Sequence, residues 1–187
     1  MGQQLQCSPY SAPVFRQVLQ EARQLSTEKS EVFTPQLQSL CARAGVAVVF
    51  VRELPRIRAS GATRWLTSDK ALIQLDLRHK SNDQLWFSFF HEAGHVLLHG
   101  KRQVFVDGQD GEHNELEQEA DRFASSALIS PIEYDGFTQR GRFTSAAIVA
   151  FARELGIESG IVVGRLQHDQ LIPYNRLNNL KERLTWT

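Results

Sequence analysis

The 187-residue chain predicts an α+β fold in which a small antiparallel sheet packs on one long buried helix, with additional helices around them. Three observations carry that reading. Apolar residues recur at helical spacing before residue 45 and again after residue 114. Between residues 46 and 77 the period shortens to that of strands. Following those strands, a run at 83–99 is too apolar for a surface helix, yet it contains His91, Glu92 and His95.

Taken in order, residues 1–9 are polar and expected to be loose, within a single domain spanning 1–187. Ser11 and Pro13 open a helix with Val14, Val18, Leu19 and Ala22 on one side. Thr34-Pro35 starts a second, with Leu37, Leu40, Cys41 and Ala44 along it and Gly45 at its end. Residues 46–51, all apolar and mostly β-branched, read as a strand buried on both faces and closed by Pro55. Residues 61–66 and 71–77 flank a polar turn at 67–70 and read as a hairpin. In its second strand Ile73, Leu75 and Leu77 alternate with Gln74 and Asp76, which predicts one wet face. The helix at 83–99 has Asn82 or Asp83 as its cap and Gly100 as its stop. Residues 101–113 read as a polar surface loop, and a helix from 115 to near Pro131 carries the stripe Leu116, Ala120, Phe123, Ala124, Ala127 and Leu128. The C-terminal part, 132–187, is largely helical. It has a loop at 132–143, helices at 144–155 and 159–168 separated by Gly156, and Leu177, Leu180 and Leu184 at helical spacing near the end.

Bulk properties exclude several classes. Lys+Arg and Asp+Glu are both 21, so no net charge draws the chain to nucleic acid. Two cysteines, Cys7 and Cys41, are too few for a disulfide framework or a cysteine zinc cluster. The N-terminal residues lack a signal-peptide pattern and no apolar run approaches twenty residues. The expectation is a cytoplasmic protein with no membrane contact and no direct nucleic-acid contact.

The chemistry concentrates at His91-Glu92-Ala93-Gly94-His95. Four residues bring a helix back to nearly the same face, so His91 and His95 can each offer a ring nitrogen to one tetrahedral Zn²⁺. Glu92 lies about 100° round the helix, where it can serve as a general base toward water rather than as a ligand. A chain with six histidines meets this pattern by chance on the order of one time in a hundred. In a buried helix these polar side chains cost free energy unless something satisfies them. The arrangement is zincin-like, and a catalytic zinc needs a third protein ligand. Of Glu115, Glu117 and Glu119, only Glu117 falls near the apolar stripe of the next helix, and Asp121 stacks one turn above it. Glu117 is the expected third ligand, with Asp121 holding the far nitrogen of a ligating histidine.

His91-Glu92-Ala93-Gly94-His95-Val96-Leu97-Leu98-His99, followed by Glu117-Gln118-Glu119-Ala120-Asp121-Arg122-Phe123-Ala124, resembles the ImmA/IrrE-type zinc metallopeptidases. The resemblance implies zinc on His91, His95 and Glu117, with Glu92 as the catalytic glutamate. The run from about residue 46 onward also resembles the peptidase half of HigA-type antitoxin fusions. Residues 1–45 are too short for the DNA-binding domain of such fusions plus the two helices expected there. Relatives of this type act on one helix-turn-helix repressor, which implies a repressor or antitoxin as the protein partner.

Other residues weigh less. His99 extends the i, i+4, i+8 series and is expected to be structural or to support a ligand, while His113 is expected to be solvated. His168, Tyr134, Tyr174 and Arg142 are all candidates to stabilise an oxyanion. Trp86, Phe87, Phe89 and Phe90 are expected in the core. Residues 148–168 resemble a helix-turn-helix, but only Arg165 and His168 among them suit a DNA groove, against Glu154, Glu158 and nearby Asp169. The alternative from another class is a metal-binding regulator or antitoxin that binds its partner without cleaving it.

Overall fold

The computed structural model describes residues 5–51, 60–76, 81–99, 105–106 and 114–184. Among them are seven α-helices and four strands. Helices α1 (Ala12–Gln24) and α2 (Ser30–Arg43) come first, then β1 (Val46–Val51), β2 (Gly61–Thr67), β3 (Lys70–Asp76), α3 (Asn82–Leu98) and β4 (Phe105–Val106). Helices α4 (Asn114–Leu128), α5 (Pro131–Thr138), α6 (Ser145–Leu155) and α7 (Ser159–His168) complete the set. Pro55, Leu77, Gly100, His113 and Trp186 lie outside the described residues. No helix among those described is long and apolar enough to cross a membrane.

The sheet is mixed, not antiparallel as the sequence suggests. Its order is β1-β3-β2-β4, with β1 parallel to β3 and the other two pairings antiparallel. Alternation along a strand reports its faces and carries nothing about a partner's direction, so the β1–β3 pairing could not be read. The wet face expected on β3 is also absent. Leu72 is buried with Ala47 and Val49 in a second small apolar cluster, covered by Cys7, Val51 and Leu66, and Asp76 is buried as well. The N-terminal segment brings that cover: Ser8 N–H donates to Ala42 O at 3.0 Å and Tyr10 N–H to Asp69 O at 2.8 Å. Gly45 has φ +82°, and a Cβ there would stand 2.4 Å from the Tyr10 backbone, so the crossing demands glycine.

Other boundaries differ for local reasons. Burial of Phe33 draws a further turn into α2 ahead of Pro35. Helix α3 is capped by Ser81 in a capping box with Gln84, one residue before the expected Asn82 or Asp83. Residues 131–138 form a helix where a loop was expected. Ser130 caps it, Pro131 takes the first turn, and Tyr134 and Phe137 are buried three residues apart. The 101–113 region contributes β4, which pairs with Ala62 and Thr63. Near the C-terminus, among the described residues, a 3-10 turn forms at Asn178–Leu180 and Arg183 bridges Ser81 in place of the helical spacing expected. The helices at 144–155 and 159–168 form as expected, with Thr144 capping the first and Gly156 ending it at φ +66°.

Helix α3 is the spine. Leu85, Trp86, Phe89, Phe90 and Ala93 are all within 1 % of full burial, and burying each of the large ones stabilises the fold by about 1.5–3 kcal/mol. Phe87 is half-buried and packs against the edge of that core. Gly94 sets how closely α4 approaches: a Cβ there would lie 3.2 Å from both Ala120 Cα and Phe123 Cδ1. On the other side α7 rests on the start of α3, where a Cβ on Gly160 or Gly164 would meet the Asn82 or Asp83 side chain at 2.4 and 2.5 Å. Arg23 on α1 ties the periphery, donating to Leu128 O and Leu155 O at 2.8 Å each, where two helices end with unpaired carbonyls.

Gly94→Leu should therefore push α3 and α4 apart. The expected loss is about 1–3 kcal/mol, read as a lowered thermal midpoint; an unchanged midpoint would show that the contact is not close.

Candidate metal centre

His91 and His95 project from the same face of α3, and Glu117 meets them from α4. His95 Nε2 lies 3.0 Å from His91 Nε2. Glu117 Oε2 is 3.1 Å from His91 Nε2, and its Oε1 is 3.5 Å from His95 Nε2. Metal–ligand bonds of 2.0–2.1 Å in a tetrahedron place ligand atoms about 3.3 Å apart. The three separations bracket that figure, and the ligand atoms all fall within 4.8 Å of one another. His91 and His95 are buried and Glu117 is partly exposed, so the carboxylate side of the cluster is reached by solvent.

Proton placement follows from the outer contacts. Asp121 Oδ1 accepts from His91 Nδ1 at 2.8 Å, so the lone pair of that neutral ring is on Nε2. Glu119 Oε2 accepts from His99 Nε2 at 3.2 Å, which leaves His99 Nδ1 as an acceptor. His99 Nδ1 lies 2.8 Å from His95 Nδ1, so His95 carries its proton there and its lone pair is also on Nε2. Two imidazole lone pairs and a carboxylate thus converge on one small volume. Acceptors packed this way cost about 1–3 kcal/mol each if nothing positive lies among them. A proton is the smallest remedy. Burial works against a charged His91, but its hydrogen bond to Asp121 and the carboxylates of Glu92, Asp121 and Glu117 outweigh that, and its pKa is raised. A divalent cation satisfies all three acceptors at once.

Glu92 stands beside the cluster, 1 % exposed. Thr63 on β2 donates its hydroxyl to Glu92 Oε2 at 2.6 Å and lies 3.2 Å from the Glu92 carbonyl. Gly61 makes room for it: a Cβ there would meet Glu92 Oε1 at 2.6 Å and Cγ at 2.7 Å. The sheet therefore positions Glu92 while α4 supplies Glu117.

Sequence reasoning named His91, Glu92, His95, Glu117 and Asp121, and the fold brings all five together. It passed over Thr63 and Gly61, although period-two alternation places both on one face of β2. Glu119, away from the apolar stripe, is half exposed yet held by His99. Among the oxyanion candidates, Tyr134 is buried beneath the Arg165 guanidinium, 4.6 Å from its ring centroid, and Arg142 borders a separate hollow with Phe137 and Glu154. His168 and Tyr174 line a cavity among α3, α4 and α7. Arg165, a possible DNA contact, is instead paired with Asp169 at 2.7 Å.

An HExxH helix beneath a small sheet, with a carboxylate from the next helix closing a His-His-Glu cluster, defines a metallopeptidase-type domain. Residues 44–167 match the Peptidase_M78 family, described as the IrrE N-terminal-like domain, and the chain belongs to that family. A search of curated proteins gives no match.

Two outcomes follow. In zinc titrations His91→Ala, His95→Ala and Glu117→Ala should abolish tight binding, while Asp121→Ala and His99→Gln weaken it about 10- to 100-fold; tight binding by Glu117→Ala would move the third ligand elsewhere. In metal-free protein the raised His91 pKa means that protonation stabilises the fold. That contribution is full below the ordinary value of 6.5 and is lost as pH rises through the folded-state value. Wild type should lose stability relative to His91→Gln as pH rises across that window, and a pH-independent difference would contradict the assignment.

Proposed function

We propose that the chain is a zinc-dependent endopeptidase that cleaves one partner protein, a helix-turn-helix repressor or antitoxin, at a single site. The observation that carries the peptidase reading is the meeting of three lone-pair donors beside a carboxylate that is fixed but does not belong to them. His91, His95 and Glu117 would hold the metal, which supplies Lewis-acid polarisation of a carbonyl and acidifies water. Zinc is favoured over harder cations because two of the three donors are imidazole nitrogens.

The remaining work falls to the chain's own residues. Asp121 keeps the His91 lone pair on Nε2, and His99 with Glu119 does the same for His95. Thr63 holds Glu92 at Oε2, and the carboxylate so fixed would take a proton from the attacking water. Glu92 then passes that proton to the leaving amine nitrogen as the C–N bond breaks, so the hydroxyl ends on the new carboxylate and the proton on the new amine. A cytoplasmic setting agrees with free Cys7 and Cys41. The restriction to a repressor or antitoxin rests on the resemblance alone.

One observation favours the non-catalytic regulator as the second reading: Glu92 is buried against Gly61 and closed in by Thr63. Glu92→Gln separates the two. If Glu92 is the base, this near-isosteric variant should fold and bind zinc normally yet leave a repressor encoded beside it intact, whereas wild type cuts it once. Equal cleavage by both removes Glu92 from the mechanism, and a stable uncut complex with both establishes the regulator.

A further inference from the structure

One helical turn from the metal centre, a cavity lies among α3, α4 and α7. On α3, Gln84 and Phe87 continue the face of His91 and His95 toward the N-terminus, at i, i+3, i+7 and i+11. On α4, Ser125 and Leu128 continue the face of Glu117 and Asp121 at i+8 and i+11. These four residues, with Ile161 of α7 and Tyr174, line a cavity of about 250 Å³. Its near wall is close to the ligands: the Phe87 ring centroid is 6.3 Å from that of His91. Phe87 and Ser125 are each one helical turn, about 5.4 Å, from the His91–Asp121 contact.

The chemistry of the lining decides what it takes. The charges around it are already paired: Lys181 with Asp83 at 2.7 Å, Arg165 with Asp169 at 2.7 Å, and His168 with Asp169 at 3.1 Å. The Gln167 amide donates to Tyr174 O, Arg176 O and Asn178 Oδ1. A charged guest would have to break one of these pairs, whereas an apolar guest would gain contact with Phe87, Leu128 and Ile161. The volume is below the roughly 300–1,000 Å³ of sites that hold a whole drug-sized ligand, and it suits one large side chain.

We propose that this cavity is the specificity subsite of the peptidase, receiving an apolar side chain of leucine to phenylalanine size from the residue beside the scissile bond. The proposal rests on the metallopeptidase reading above. It is tested on zinc-loaded full-length protein with two series of hydroxamate chelators, acetylated amino-acid hydroxamates and substituted succinyl hydroxamates, which present the side chain on opposite sides of the metal. Each series carries hydrogen, isobutyl, benzyl or carboxymethyl. In one series isobutyl or benzyl should bind about ten- to a hundredfold tighter than hydrogen, and carboxymethyl no tighter than hydrogen. Ser125→Phe, with metal content confirming that it is folded and loaded, should bring the apolar compounds down to the level of hydrogen. Tyr174→Ala, at an exposed position, should lower the same ratio. If the chelators bind but neither series discriminates, or carboxymethyl is preferred, or Ser125→Phe leaves the preference intact, the subsite is wrong and the peptidase reading stands. If no chelator binds zinc-loaded protein, the metallopeptidase reading fails and the subsite with it.

Discussion

Two imidazole lone pairs and a carboxylate meet at 3.0–3.5 Å between α3 and α4, and this meeting requires a positive charge. Each outer contact reinforces the requirement. Were Asp121 absent, His91 could turn its proton inward and the repulsion would vanish; the same holds for His99 and His95. The carboxylates beyond the ligands therefore do more than orient rings, because they deny the cluster the neutral tautomers that would relieve it. What remains is protonation or a metal, and the two compete for the same nitrogens.

The fold supplies the free energy to hold such an arrangement. Trp86, Phe89 and Phe90 lie on the turns just before the ligands, and their burial outweighs the cost of a few opposed acceptors. Two glycines then set distances. Gly94 lets α4 approach until Glu117 reaches the histidines, and Gly61 lets β2 approach until Thr63 reaches Glu92. Both lack a side chain where a second element must come within contact of α3. The site is thus a product of three elements pressed on one helix, and the α3 sequence alone would not make it.

Much of this was legible in the residues. The i, i+4 histidines, the glutamate after the first, and the position of Glu117 relative to the apolar stripe are local facts of helix geometry, so they survive without tertiary knowledge. The β1–β3 pairing was not legible, since it joins segments whose alternation is silent about direction. Nor was the covering of Leu72, which depends on an N-terminal segment crossing the sheet. The helix at Pro131–Thr138 was missed because Gly136 and a short apolar spacing mask a clear cap at Ser130. Thr63 shows the limit most plainly: a threonine on a strand is ordinary, and only the approach of α3 makes it the partner of Glu92.

His91, His95 and Glu117 form one cluster that could hold a metal ion. X-ray absorption at the zinc edge of the metal-loaded protein tests it most directly. Zinc on these three residues should show two imidazole nitrogens and carboxylate and solvent oxygens at about 2.0–2.2 Å, with the outer-shell scattering of two histidine rings and no sulfur. A spectrum with a sulfur shell, or with no histidine scattering, would rule out this ligand set.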